Sequence, residues 1–383
     1  GGLNIIVGMT ELDTETAGEK DKVNTHTVTA TSGAGASNVG IAGGVAINVL
    51  TTKALAYTDS PVVITAVAGA DSDVEISATS ASTGTITSGA AIDNTGTEAK
   101  VGIGASVVIN IISNTVKAYV TDGMGLSGAI KNVTLNADLA SSTEAKGESG
   151  AGSTSATSIN GAIVLNVVIG TAEAYFGSGT GLNASGDVSV TAKNINHVSG
   201  EASGVAAGSK VGIGIALAIN VVTDKTLATT RRNINAAGAV SFKAEGASGS
   251  STTAKAGTNG GKPAAEGTDA GEQPAEDAAD QRGGLDKDID KQLSFLNKTS
   301  EEKGIEKEPT ADDKGSIPET TPQKAETSEG GINVAGALAL NIVSSTIEAY
   351  IPTGITIVAG GPLSLQANHN TDSAAIADGS AVA

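Results

Sequence analysis

The stretch VGIGASVVINIISNTVKAY, residues 101–119, recurs in four further versions along the chain. They are VGIAGGVAINVLTTKALAY, TSINGAIVLNVVIGTAEAY, VGIGIALAINVVTDKTLAT and GINVAGALALNIVSSTIEAY. Each carries a central asparagine, at Asn48, Asn110, Asn166, Asn220 and Asn341, with separations of 62, 56, 54 and 121 residues. Eight residues beyond each stands an alanine, followed by Tyr57, Tyr119, Tyr175, Thr229 and Tyr350, which uses every tyrosine in the chain. Self-similarity at a fixed long period is the mark of a repeat architecture, in which each unit buries its apolar surface only against its neighbours.

A second block follows each asparagine block: DVEISAT, NVTLNAD, DVSVTAK, AVSFKAE and PLSLQAN. Its alternation has period two, so its residues form strands; a helix would scatter Val188 and Val190 around its circumference. A partial copy at His26–Ala30 places the start of the chain inside a preceding repeat, and the residues after Asn370 begin another. The expected fold is all-β, a right-handed parallel β-helix (β-solenoid) with repeats of about 54–62 residues.

Two readings concern the asparagine block itself. The residues one and three before Asn and one after it are branched and apolar, as in Val45, Ile47, Val49 and Val107, Ile109, Ile111, and this face is expected to be core. The opposite face (Gly44 and Ala46, Ala216 and Ala218, Ala337 and Ala339) is small and uncharged, and either meets a neighbouring layer or chain or reflects Ala-rich composition. A repeat of this length is either three coils of about nineteen residues or one wide layer. With three coils, preferred here, a repeat rises roughly 14 Å and each asparagine hydrogen-bonds locally at a corner. With one wide layer the amides stack directly. Either way the asparagines are structural, since a buried amide must be satisfied.

Composition agrees with narrow stacked layers. The 383 residues include 51 Gly, no Trp, 3 Phe and 4 Tyr, so any core is built from small aliphatics. A net charge of -18 argues against nucleic acid and against an anionic membrane surface. No run of about eighteen apolar residues occurs, so no membrane insertion as a helix is expected. With no Cys, disulfides and thiolate chemistry are excluded. The first residues show no export signal, and the chain reads as a piece of a longer one.

Three segments are expected: solenoid repeats over 1–256, the first partial; a disordered acidic, Pro-rich insertion over 257–330; and a resumed repeat over 331–383. Inside the insertion Leu285, Ile289, Leu293 and Leu296 form one short helical stripe. Because the repeat resumes in phase, the insertion is expected to leave from a corner.

No catalytic, cofactor-binding or metal site emerges. His26, His197 and His369 show no ligand spacing and read as exposed strand or turn residues. Arg231-Arg232, the one Arg pair, reads as a surface ion pair with Asp224. The acidic turns at Asp71–Asp73 and Asp122 suit solvated corners better than calcium, and the Gly-rich VGIGAS matches no nucleotide fingerprint. A carbohydrate-active β-helix enzyme would need carboxylates with Arg or Lys in one groove.

The blocks LNASGDVSVTAKN, NINAAGAVSFKAEG and ITIVAGGPLSLQANHN resemble repeats of filamentous-haemagglutinin-type exoproteins, and GASVVINIISNTVKAY is similar to units of large fusobacterial leukotoxin-like and adhesin-like proteins. The resemblance implies a parallel β-helix, export, and service as a stalk, adhesin or toxin body. The expected function is thus non-enzymatic: a structural or adhesive module of a large secreted bacterial surface protein, extracellular, without cofactor. Expected partners are neighbouring repeats, homo-oligomeric copies, or a host or cell-surface glycan or protein. The alternatives are a self-assembling filament or sheath subunit and a carbohydrate-active enzyme.

Overall fold

The computed structural model describes residues 2–10, 12–13, 20–21, 23–34, 38–59, 62–67, 72–92, 100–259 and 332–382. Among them the chain forms strands β1 to β17 and no helix. Residues 257–259, expected to open the insertion, instead finish a strand that ends at Asn259, and the rest of the insertion, with its expected stripe at Leu285, Ile289, Leu293 and Leu296, lies outside the described residues.

The chain winds in coils. The first comprises β1 (Leu3–Val7), the hairpin β2 (Leu12–Asp13) with β3 (Lys20–Asp21), then β4 (Asn24–Ala34), β5 (Val39–Thr58) and β6 (Val63–Ala66). The second is β7 (Val74–Ile92), β8 (Val101–Val120) and β9 (Gly125–Gly128). In the third and fourth, β10 (Val133–Phe176) and β12 (Val188–Thr230) each run through both long walls, and β11 (Leu182–Ala184) and β13 (Ile234–Ala236) make the short side. The fifth is β14 (Val240–Asn259), β15 (Ile332–Tyr350) and β16 (Ile357–Ala359), and β17 (Leu363–Val382) opens a sixth. Apart from the β2–β3 hairpin, all pairing is parallel.

Each coil therefore has two long walls and a short third side. Wall A carries the second block and pairs Val74 with Val133, Val133 with Val188, Val188 with Val240 and Val240 with Leu363. Wall B carries the asparagine block and pairs Asn48 with Asn110, Asn110 with Asn166, Asn166 with Asn220 and Asn220 with Asn341. Equivalent residues of successive repeats are thus direct ladder partners, so one repeat is one wide coil. The expectation of three coils is overturned. A wall of about twenty residues is long enough, at roughly 65 Å, to consume the repeat without further turns.

Register also relocates the first copy. Leu3–Val7 pairs with Val74–Ala78, while His26 to Ala30 pairs with Gly84 to Ser88 in the middle of the wall. The opening LNIIV is the true equivalent of VEISA, and the hairpin between β1 and β4 hides the phase. At the far end Leu363–Val382 continues as one strand through Asn370. The break between Asn259 and Ile332 falls where wall A turns into wall B, and register on both walls continues across it.

The interior is wedge-shaped. At the short side it holds the larger apolar groups, among them Phe176, Phe242, Met124, Leu135, Leu182 and Ile234. Toward the opposite corner it thins to Ala46, Ala162, Ala202, Ala216 and Ala254 with Ile86, Val108 and Val164. There the walls are so close that a methyl group on Gly204 would lie 2.2 Å from the Ile215 carbonyl oxygen, and one on Gly214 would lie 2.5 Å from that of Gly257. This explains the second correction. The small face of the asparagine block is the core, and the branched face is outside: Val45 is 59% exposed, Ile47 55%, Val49 68% and Leu338 56%. Two sheets closing at this distance admit only an occasional larger side chain such as Ile86 among alanines and glycines, so size decides the facing before hydrophobicity does.

Candidate functional site: the outer surface of wall B

Inside wall B the asparagines stack. Asn48 Nδ2 donates to Asn110 Oδ1 at 2.7 Å, and Asn110 Nδ2 to Asn166 Oδ1 at 2.6 Å. From the third coil onward the amides cross to the facing wall: Asn166 Nδ2 to the Ser199 carbonyl at 3.3 Å, Asn220 to that of Ser251 at 2.6 Å and Asn341 to that of Ser250 at 2.8 Å. The five asparagines are one column of the core, bonded across coils and walls and not at corners. Four residues on, a second polar column runs Thr52, Asn114, Gly170, Asp224 and Ser345. Gly170 leaves the space into which Asn194, Asn196 and Asp224 converge. The Asp224 carboxylate accepts from Ser248, Asn196 and Asn194, and burial pushes its pKa up to about 6 against those three donors.

Outside, wall B divides into an aliphatic and a charged-aromatic half. The rows 41–49, 103–111, 159–167, 213–221 and 334–342 contain no charged residue. On this face Val45, Ile47 and Val49 stand beside Val107, Ile109 and Ile111, and the column continues to Leu338, Leu340 and Ile342. Farther along the strands Glu173 bridges Lys117 at 2.7 Å and Lys225 at 2.6 Å. Burial alone would raise the Glu173 pKa, but the two ammonium groups outweigh it and hold the carboxyl below its usual range. The tyrosines come next: Tyr57 stacks on Tyr119 with ring centroids 5.1 Å apart, Tyr119 on Tyr175 at 5.0 Å, and the Arg231 guanidinium covers the Tyr175 face at 5.8 Å. Thr229 interrupts the column before Tyr350 and donates to the Tyr350 carbonyl at 2.7 Å.

Other candidates resolve into structural devices. Arg232 is 1% exposed and donates to the carbonyls of Gly177 at 2.7 Å, Met124 at 2.9 Å, and Thr121 and Ser178 at 3.3 Å. The reading of Arg231-Arg232 as a surface ion pair with Asp224 is overturned, since one Arg caps an aromatic stack, the other pins a corner and Asp224 is internal. His26 is also not exposed: it lies inside against Gly84 with both ring nitrogens unpartnered, and burial lowers its pKa. His197 points outward from wall A opposite Ser142 and Gly249, and His369 is exposed near Thr371. Acidic turns staple coils, each Oδ1 taking a backbone N–H of the next: Asp73 from Asn132 at 3.1 Å, Asp122 from Ser178 at 2.6 Å and Asp187 from Ala239 at 2.7 Å. Asp71 lies outside the described residues.

A corner groove of about 640 Å³ gathers Asp73, Glu75 and Asp187 with Asn4, Asn132 and Ser189, and no Arg or Lys among the described residues lines it. Among the described residues no three His, Asp or Glu come together in a way that suits a metal ion. No family profile matches the chain, and neither the curated proteins nor the solved structures contain a match to it.

Proposed function

We propose that the chain is a structural and adhesive repeat module of a large secreted bacterial surface protein, working by shape and surface and not by catalysis. The observation that carries this reading is the coil-to-coil register kept along both long walls, which spends the asparagines, acidic turns and Arg232 on holding successive coils together. A scaffold of this kind extends by adding identical layers and displays side chains in rows on fixed walls. The carbohydrate-active alternative needs a basic group beside its carboxylates. The corner groove offers Asp73, Glu75 and Asp187 without one, and two of these accept backbone N–H groups.

The test is retention of beads coated with the purified full chain on bacterial and host cell surfaces, beside assays for breakdown of acidic polysaccharides. Retention above that of beads carrying an equally acidic unrelated protein is expected, with no breakdown. Depolymerisation that disappears in Asp73→Asn or Glu75→Gln would overturn the reading. The filament or sheath alternative loses the small-residue face once expected to mediate lateral contacts, because that face is internal. It is favoured instead by the uncovered aliphatic half of wall B.

A further inference from the structure

We infer that two copies of this chain pair face to face through the aliphatic half of wall B. The inference rests on the layered scaffold described above but not on its adhesive role. The first argument is area. Five ladder-paired rows of nine residues, at about 3.3 Å per residue and about 4.8 Å per row, cover roughly 700 Å². That exceeds the largest apolar patch of a typical monomer, about 300–600 Å². Burying it on two copies removes roughly 1,400 Å², within the range of about 1,200–2,000 Å² for stable specific interfaces.

The second argument is shape. Five residues before each Asn the outward position is Gly43, Ala105, Gly161, Ile215 and Gly336, so a shallow trough runs across four of the five rows. A Cβ at Gly161 or Gly336 would meet nothing within 4 Å, which confirms that the trough is open. Beside it stands the ridge of Val45, Val107, Ile163, Leu217 and Leu338. A two-fold axis lying in the contact plane, parallel to ridge and trough and midway between them, sets the ridge of each copy into the trough of the other. Such an isologous contact is self-complementary, and both copies share one row spacing, as in dry sheet-to-sheet interfaces. A partner without this spacing would leave the trough unfilled.

The third argument is charge. The rows themselves are uncharged, and residues 260–331 hold 18 of the chain's 41 acidic and 9 of its 23 basic residues. Half of the net charge of -18 therefore belongs to a segment that contributes nothing to these rows.

The experiment is sedimentation equilibrium of the full chain over a wide concentration range, at low and high salt. A dimer is expected in both, since apolar burial is insensitive to screening. Ile163→Lys combined with Leu217→Glu should weaken it at least tenfold, as should Val49→Lys alone, whose side chain is already in solvent. Thr85→Lys on the outer face of wall A should leave it unchanged, and far-ultraviolet circular dichroism checks that each variant is folded. A wild-type monomer up to about 100 μM, or a dimer that survives the wall B variants, would overturn the pairing. So would a dimer that forms only after deletion of 260–331, because that segment would then be the native occupant. Beads that adhere while the protein remains monomeric would sink the pairing alone and leave the proposed function standing.

Discussion

Asn110 Nδ2 lies 2.6 Å from Asn166 Oδ1 while Asn110 Oδ1 receives Asn48 Nδ2 at 2.7 Å, so one buried amide is both donor and acceptor between three coils. Asn110→Ala removes both bonds and strands an amide on each side in a dry interior. A loss of about 2–4 kcal/mol is expected, because an unpaired buried polar group costs about 1–3 kcal/mol. Asn341→Ala, at a half-exposed position, should cost about 1 kcal/mol or less. Urea denaturation of both variants checks the ranking.

Asp224 gives a pH signature. Its folded pKa is raised from 3.8 to about 6, so the native state holds a proton that the unfolded state has released, and stability falls as pH rises from about 4 to about 6. The full cost of keeping it ionised above pH 6 is about 3 kcal/mol. Asp224→Asn, which keeps hydrogen-bonding capacity, should be more stable than wild type at pH 8 and about equal near pH 4. Buried His26 has the opposite slope below about pH 6.5, as has Glu173 below about pH 4.5. The variant-minus-wild-type difference in melting temperature across pH is therefore the measurement that isolates Asp224.

Gly204 and Gly161 test the wall spacing. Gly204→Ala forces a methyl group against the opposite backbone and should cost about 3 kcal/mol or more. At concentrations low enough to keep the chain monomeric, Gly161→Ala points into open space and should change stability by about 0.5 kcal/mol at most. Comparable melting shifts for the two would contradict the closeness of the walls.

Adjacent arginines should behave unlike each other. Arg232→Met leaves the buried carbonyls of Gly177 and Met124 without this donor, while those of Thr121 and Ser178 keep backbone N–H partners, and should cost about 3 kcal/mol or more. Arg231→Met removes only a cation over Tyr175, worth about 0.5–1 kcal/mol at an exposed site. Thermal denaturation of both variants decides.

The period and the strands were legible because they depend only on self-similarity and alternation. The facing of wall B was misread although its signal was present. Val107, Ile109 and Ile111 share the parity of Lys117 and Tyr119, so in one unbroken strand they share its outer face, and a lysine on that face requires solvent. The rule that aliphatics go inside overrode this parity because the walls' closeness is a tertiary fact, set by Ala and Gly on both strands at once. The coil count failed for a related reason. No local residue tells a twenty-residue wall from three shorter sides, and the repeating turn signal lies mostly around the short third side. Arg232, Asp224 and His26 looked like surface residues because their surroundings are distant in the chain: Arg232 reaches carbonyls 54 to 111 residues away, Asp224 takes donors 24 to 30 residues away, and His26 lies against Gly84 of the next coil.

One coil per repeat also sets the mechanics of the assembly. Walls of about twenty residues span roughly 65 Å, whereas each coil adds only about 4.8 Å of height. A stack of such coils is a strap with a broad, thin cross-section. It resists bending in the plane of its width and yields across its thickness, so a long stack would flex toward or away from wall B and scarcely sideways. Clamping two straps together along that wall would double the thin dimension and stiffen the one direction in which a single strap is weak.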